Sequence, residues 1–107
     1  MAAQLTIERS DAAAGTRTLS IVGELDIATT PQLEQEVEQA LREGARAIAI
    51  DLAGLSFIDS TGLRMFLRLN ELAGAGGWRL TMTRPSEQVK KVLRVTGTSS
   101  ELPIAED

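Results

Sequence analysis

The 107-residue chain contains no cysteine and no histidine. Without cysteine it can form neither a disulfide bond nor a thiolate metal site. Without histidine it lacks the commonest general base, the usual partner of a serine or cysteine nucleophile, and the usual zinc ligand. We therefore expect a protein that is not an enzyme and that carries no metal or cofactor.

Long apolar runs are also missing from the chain. No stretch approaches the ~20 residues of a membrane-spanning helix, and the N-terminus has no basic flank followed by an apolar segment. We expect a cytoplasmic protein without a membrane span. The formal net charge of -4 argues against general nucleic-acid binding and favours solubility.

The apolar residues that are present follow a regular order of periodicities. Two alternating segments near the N-terminus are followed by helix, strand, helix, strand, helix and a short last strand. Strands joined through helices pair in parallel, whereas a short connection makes an antiparallel hairpin. We expect one domain over residues 1–107, monomeric or weakly dimeric. Its α/β fold would be a mixed sheet of four to five strands, antiparallel at the N-terminal hairpin and otherwise largely parallel, with about three helices.

The strands are predicted at residues 3–9, 17–23, 46–52, 78–83 and 102–104. Thr30, as N-cap before Pro31, predicts the start of the first helix, and Gly44 its end. The outward face of this helix is acidic, with four glutamates against Arg42 alone: Glu34, Glu36, Glu38 and Glu43. A solvated face is the ordinary explanation, and a basic partner is the alternative. Trp78, the single tryptophan, is predicted to pack in the core or at the sheet edge.

The stretch LSFIDSTGL, from Leu55 to Leu63, joins a buried strand to the second helix. Asp59, Ser60 and Thr61 lie where that helix begins, and side-chain oxygens at such a position accept from backbone N–H groups that have no partner within the helix. The stretch therefore predicts a capped helix N-terminus directly after the central strand.

A helical wheel separates the two faces of this second helix. The residues opposite Ser60 are apolar and predicted to form the core: Met65, Phe66, Leu69, Leu72 and Ala73. Leu63 and Leu67 fall on the face of Ser60, together with Arg64. Two leucines on a solvent face suggest a docking patch, although single exposed leucines are also common on protein surfaces.

An ordered set of short motifs runs through the chain. It comprises GELD at 23–26, Thr30, Asp51-Leu52, FIDSTGL at 57–63, and residues 89–96 followed by Gly97. At this order and spacing the set resembles the STAS domain of bacterial anti-sigma-factor antagonists, and the resemblance covers nearly the whole chain. Two positions depart from it: Thr98 stands where a leucine is frequent, and little chain follows the last strand.

The resemblance implies a switch at Ser60. In that family a serine kinase of the ATPase fold, which is also the anti-sigma factor, phosphorylates the equivalent hydroxyl. The unmodified antagonist binds the kinase and frees the sigma factor, whereas the phosphorylated form releases it until a PP2C-type phosphatase resets it. The phosphosite environment would be Asp26, Asp59, Thr61 and Gly62. The partner would contact Leu63, Arg64 and Leu67.

Three other functions compete with the antagonist. The same fold could serve as a STAS scaffold subunit of a stressosome-like or lipid-transport ATPase complex. An enzyme with Asp59 or Ser60 as nucleophile is disfavoured, because no Ser-x-x-Lys spacing occurs at Ser60. Nucleotide binding is a further alternative, although no glycine-rich loop ending in lysine follows any predicted strand.

Overall fold

The computed structural model describes residues 4–13 and 15–105. Their strands and helices follow in the order β1 (Leu5–Ala13), β2 (Thr16–Leu25), α1 (Thr30–Arg42), β3 (Ala47–Ile58), α2 (Ser60–Gly76), β4 (Arg79–Thr83), α3 (Glu87–Val95) and β5 (Ile104–Ala105). A single 3-10 turn at Ser99–Glu101 precedes β5.

The strands form one mixed sheet in the order β1-β2-β3-β4-β5. β1 and β2 are an antiparallel hairpin, and each of the other neighbouring pairs is parallel. The predicted fold class, with its antiparallel hairpin, largely parallel remainder and three helices, is confirmed. Among the described residues, no helix has both the length and the apolar character needed to cross a membrane.

β3 continues six residues beyond its predicted end at Leu52, through Gly54 to Ile58. Gly54 follows the apolar run 46–52 and is typical of a strand boundary, but it lies in an irregularity of the ladder: Ser20 pairs with Asp51, and Val22 pairs with Gly54. A Cβ atom at Gly54 would lie 2.7 Å from Val22 Cγ2, so the two strands approach closely there. The glycine thus marks a bulge within the strand rather than its end.

The core lies between the sheet and the three helices. Alternate residues of β2 and β3 point into it, and the fully buried Phe66 of α2 is its largest side chain. Trp78 is half-buried and packs against this core, as predicted. The helices contribute Leu33, Val37 and Ala40 from α1, Leu69 from α2, and Val89 and Leu93 from α3.

The helical wheel is wrong about two leucines of α2. Leu63, predicted to face solvent, is only 8% exposed, whereas Leu72, predicted to lie in the core, is 45% exposed. The apolar residues of α2 span a wider arc than the face that the sheet covers. The covered face is centred near Phe66, one turn after Leu63, so that Leu63 is included and Leu72 is left on the open flank.

α2 also continues into the glycine-rich stretch 74–77, a composition that predicts the end of a helix. It ends at Gly76, and Gly77 takes a left-handed φ of 75° and donates its N–H to the Ala73 carbonyl. Gly74 and Gly76 are therefore helical, and Gly77 alone ends the helix. Ser86, which precedes Glu87 and an apolar stripe, predicts the cap of α3, and this is confirmed, since Ser86 Oγ accepts from the Val89 N–H at 3.2 Å.

An ion pair joins β3 to the residue after β4. The Nε and Nη2 groups of Arg84 donate to the two carboxylate oxygens of Asp51. Arg84 holds a left-handed φ of 55°, which residues other than glycine rarely adopt. The hydrogen bond from Arg84 lowers the pKa of Asp51, and partial burial opposes this only in part.

This pair makes stability depend on pH. Because the pKa of Asp51 is lower in the folded chain, the pair stabilises the fold above the ordinary aspartate pKa of ~3.9, and this contribution is lost as pH falls through the folded-state value. Asp51→Asn should therefore be less stable than the wild type at neutral pH, and the difference should shrink toward pH ~3. Urea denaturation at both pH values measures it. An unchanged difference would mean that the carboxylate gains nothing from Arg84.

Candidate functional site

The carboxyl edges of two neighbouring parallel strands bring the candidate residues together. Leu25 at the end of β2 pairs with Ile58 at the end of β3. The residues that follow, Asp26 and Asp59, therefore leave the sheet side by side. The Asp59 N–H donates to the Leu25 carbonyl at 3.2 Å, which fixes the first turn of α2 against the end of β2.

Asp59 is the N-cap of α2, as predicted. Its backbone is extended, and its carboxylate accepts from the Gly62 N–H at 3.0 Å. Ser60 is the first residue of the helix and its side chain is exposed. Within residues 4–13 and 15–105, no hydrogen bond to the Ser60 hydroxyl is formed. Thr61 lies inside the first turn and is half-buried, so it does not cap the helix.

A second carboxylate is oriented by the loop between β2 and α1. Asp26 Oδ1 accepts from the backbone N–H groups of Ala28 at 2.9 Å and Thr29 at 3.1 Å. Thr29 Oγ1 in turn accepts from the Asp26 N–H and donates to the Glu24 carbonyl. Thr29, rather than the predicted Thr30, thus precedes α1, and its hydroxyl organises this loop instead of capping the helix.

Gly62 permits the close contact between α2 and the sheet. A Cβ atom there would lie 2.7 Å from Ile58 Cγ1 and 3.0 Å from the Leu25 carbonyl oxygen. Only hydrogen in place of a side chain lets the first turn of α2 rest directly on the paired ends of β2 and β3. Gly62 therefore sets the height at which Ser60 stands above the sheet edge.

The open face of α2 continues away from Ser60. Arg64 is exposed, and Leu67 is half-buried with part of its side chain packed on the core. Together with Thr61, Met65, Arg68 and Glu71 they line a shallow surface depression. Leu63 is excluded from this surface by its burial, and so the predicted two-leucine patch is reduced to Leu67.

Two exposed apolar residues at the same edge were not predicted. Ile27, between Asp26 and Ala28, is 76% exposed, and Phe57, near the end of β3, is 45% exposed. The sequence does contain a signal for Ile27, an isoleucine within a polar loop. The direction of Phe57 was not predicted, because this residue lies beyond the predicted end of the strand at Leu52. We use the term switch surface for Ile27, Phe57, Ser60, Arg64 and Leu67.

Comparison with known proteins identifies the family. The model described as "Mlab, STAS domain" matches residues 8–103. The chain therefore belongs to the STAS domain family, and the predicted resemblance is confirmed.

Individual relatives agree with this assignment. The anti-sigma-B factor antagonist of Staphylococcus epidermidis is 28% identical over 88 residues, which are 82% of this chain and 82% of that protein. The anti-sigma factor antagonist SpoIIAA in its unphosphorylated form superposes with a TM-score of 0.75 at 25% identity, covering 95% of this chain and 90% of that one. An anti-sigma factor antagonist from Mycobacterium paratuberculosis has the same fold, with a TM-score of 0.81 at 24% identity over 97% of this chain and 87% of that one.

Gly62 and Gly74 of α2 provide a matched test of the close contact between the first turn of α2 and the sheet. Gly62→Ala should lower the free energy of unfolding by ~1–3 kcal/mol, because the added methyl group meets Ile58 and Leu25. Gly74→Ala should raise it by ~0.5–1 kcal/mol, because nothing lies within 4 Å and alanine favours the helix. Chemical denaturation measures both. Equal effects would contradict the close contact at Gly62.

Proposed function

We propose that this chain is an anti-sigma-factor antagonist whose binding to its anti-sigma factor is switched off by phosphorylation of Ser60. The observation that carries the proposal is the position of Ser60, an exposed and unpartnered hydroxyl at the first turn of α2 among the described residues. A kinase can reach such a hydroxyl without any unfolding of the domain. The similarity to named antagonists supports the same function.

The free protein tolerates the added phosphate. A phosphoserine carries about -1.5 to -2 charges at pH 7. Placed at the N-terminus of α2, that charge is stabilised by ~0.3–1 kcal/mol through the helix dipole. Arg64 stands four residues further along, the spacing at which side chains of one helix face interact. Phosphorylation therefore needs no rearrangement of the fold.

The same charge opposes binding at the switch surface. Ile27 and Phe57 expose apolar area that a partner must cover. A phosphate dianion beside that area would lose part of its hydration shell on binding, and this loss costs free energy. Asp26 and Asp59 add negative charge at the same edge and repel the phosphate. An Arg64 side chain that pairs with phosphoserine is also withdrawn from the partner. Each effect weakens the complex and leaves the folded antagonist intact.

The partners follow from this cycle. The unmodified form binds an anti-sigma factor that is itself a serine kinase of the ATPase fold, and a PP2C-type phosphatase restores the hydroxyl. SpoIIAA exists in both unphosphorylated and phosphorylated forms, which supports a cycle of this kind. Leu63 takes a role different from the one first expected: buried beneath the first turn, it supports the switch surface from within.

Substitutions at Ser60 test the switch directly. Wild type and Ser60→Ala should bind the host's cognate anti-sigma kinase with similar affinity, whereas Ser60→Asp should bind at least ~10-fold more weakly because of its negative charge. Calorimetric titration measures the affinities, and mass spectrometry after incubation with kinase and ATP should map one phosphate to Ser60.

The alternative, a STAS scaffold subunit of a stressosome-like or lipid-transport ATPase complex, gives the opposite result. Its stoichiometric complex would be indifferent to residue 60, and no phosphate would be found on Ser60. Either observation would contradict the antagonist proposal and favour the scaffold.

Ile27 and Val95 provide a matched pair for the binding surface. Ile27→Ser should weaken kinase binding by roughly 10-fold, because the isoleucine is exposed at the sheet edge where α2 begins. Val95 on α3 is 74% exposed, close to the 76% of Ile27, so Val95→Ser removes similar apolar area away from the switch surface. Comparable losses in the two variants would disprove a partner footprint centred on Ser60.

A further inference from the structure

A second open surface lies between α1 and α2, toward the opposite edge of the sheet from Ser60. It is a groove of about 460 Å³. Val37 and Leu41 of α1, Leu69 and Leu72 of α2, and Trp78 form its apolar lining. We use the term α1–α2 groove for this surface.

The groove exposes apolar area that the fold itself leaves uncovered. Leu72 is 45% exposed, and Trp78 is half-buried. The indole lies against the end of α2, where a Cβ atom at Gly76 would be 3.0 Å from Trp78 Cδ1 and 3.1 Å from Nε1. A partly exposed indole and an exposed leucine thus lie together beside the groove.

The charges along the groove have a definite pattern. Two of the four α1 glutamates are neutralised by arginines of the sheet, since Glu36 pairs with Arg9 and Glu43 pairs with Arg17. The other two, Glu34 and Glu38, line the groove together with Arg68 of α2, so its charged lining residues sum to one negative charge. The two glutamates form no ion pair within 4 Å among the described residues. They stand four residues apart, which places both carboxylates on one helix face.

We propose that the α1–α2 groove binds a basic amphipathic helix of a partner protein. Apolar residues of that helix would cover Leu72 and Trp78, and its lysines or arginines would lie along Glu34 and Glu38. A groove between two helices commonly binds such a helix, whose apolar residues at helical spacing contact the groove. Charge complementarity selects a basic helix over an acidic one.

Ser60 and the groove lie toward different ends of α2, although Arg68 lines both the groove and the depression beside Leu67. Leu72 is twelve positions after Ser60 in α2, which is about 18 Å along the helix axis at 1.5 Å per residue. A phosphate on Ser60 is beyond the Debye length of ~8 Å from Leu72 at physiological ionic strength. The groove therefore holds its partner in both states of Ser60, and the protein stays tethered while the switch surface is occupied or vacated.

Trp78 provides the measurement, because it is the single tryptophan of the chain and lines the groove. The probe is a synthetic amphipathic helix of about 18 residues, or five turns, built from leucine and lysine. Binding should shift the Trp78 fluorescence to shorter wavelength and weaken as salt is added. Two comparison peptides replace lysine by glutamate, or leucine by serine, and neither should bind.

Matched variants assign the binding to the groove. Leu72→Ser should weaken binding of the leucine–lysine peptide by about 10-fold. Val22→Ser, at a residue that is 47% exposed on β2, should not weaken that binding. Glu34→Gln combined with Glu38→Gln should weaken it and flatten the salt dependence. The pair Glu8→Gln and Glu101→Gln removes the same charge elsewhere and should leave affinity unchanged. Ser60→Asp should bind like the wild type.

Several results would overturn the proposal. These are failure of the leucine–lysine peptide to bind the wild type, equal binding of the glutamate peptide, and equal losses in the matched controls. If Ser60→Asp bound the peptide more weakly than the wild type, the groove and the switch surface would belong to one site. Sedimentation could instead detect a dimer that is lost in Leu72→Ser and is not dissociated by any peptide. That result would identify a second copy of the chain as the occupant. Loss of kinase switching, by contrast, would leave the groove unaffected.

Discussion

The candidate site depends on the parallel pairing of β2 with β3 beyond the bulge at Gly54. That pairing aligns Leu25 with Ile58, so that two aspartates far apart in sequence leave the sheet at one edge. It also provides the surface on which Gly62 rests, and through Gly62 the position of Ser60. If β3 ended at Leu52, the DSTG segment would begin several residues away from the loop that follows β2. The residues of the switch surface would then not form one surface.

Signals that act within a few residues were readable from the sequence. The order of strands and helices, the cap at Asp59 and the cap at Ser86 depend on periodicity and on local hydrogen bonding, and all are confirmed. The hairpin and the parallel remainder follow from connection length alone. The exposed position of Ser60 also follows from the wheel, because it lies far from any boundary of the apolar arc.

Features set by distant contacts were not readable. Gly54 resembles a strand end until Val22 is known to lie against it, and Thr30 resembles a cap until Thr29 is seen to bridge Glu24 and Asp26. Leu63 and Leu72 exchange their expected environments because a wheel gives angles within one helix and not the place of the sheet beside it. Each error concerns a residue near the edge of an element or of an apolar arc, where tertiary packing decides between two local possibilities.

α2 is one uninterrupted helix with Ser60 at its first turn and Leu72 and Gly76 near its last. It contains no hinge through which an event at one end could change the other, and Gly62 prevents it from sliding along the sheet, since Ile58 and Leu25 already touch the first turn. We therefore expect the coupling free energy between its two ends to be close to zero. Two ligands on such a domain would bind with independent probabilities, and their joint occupancy would be a simple product. The domain would then act as an adaptor that combines two inputs without cooperativity.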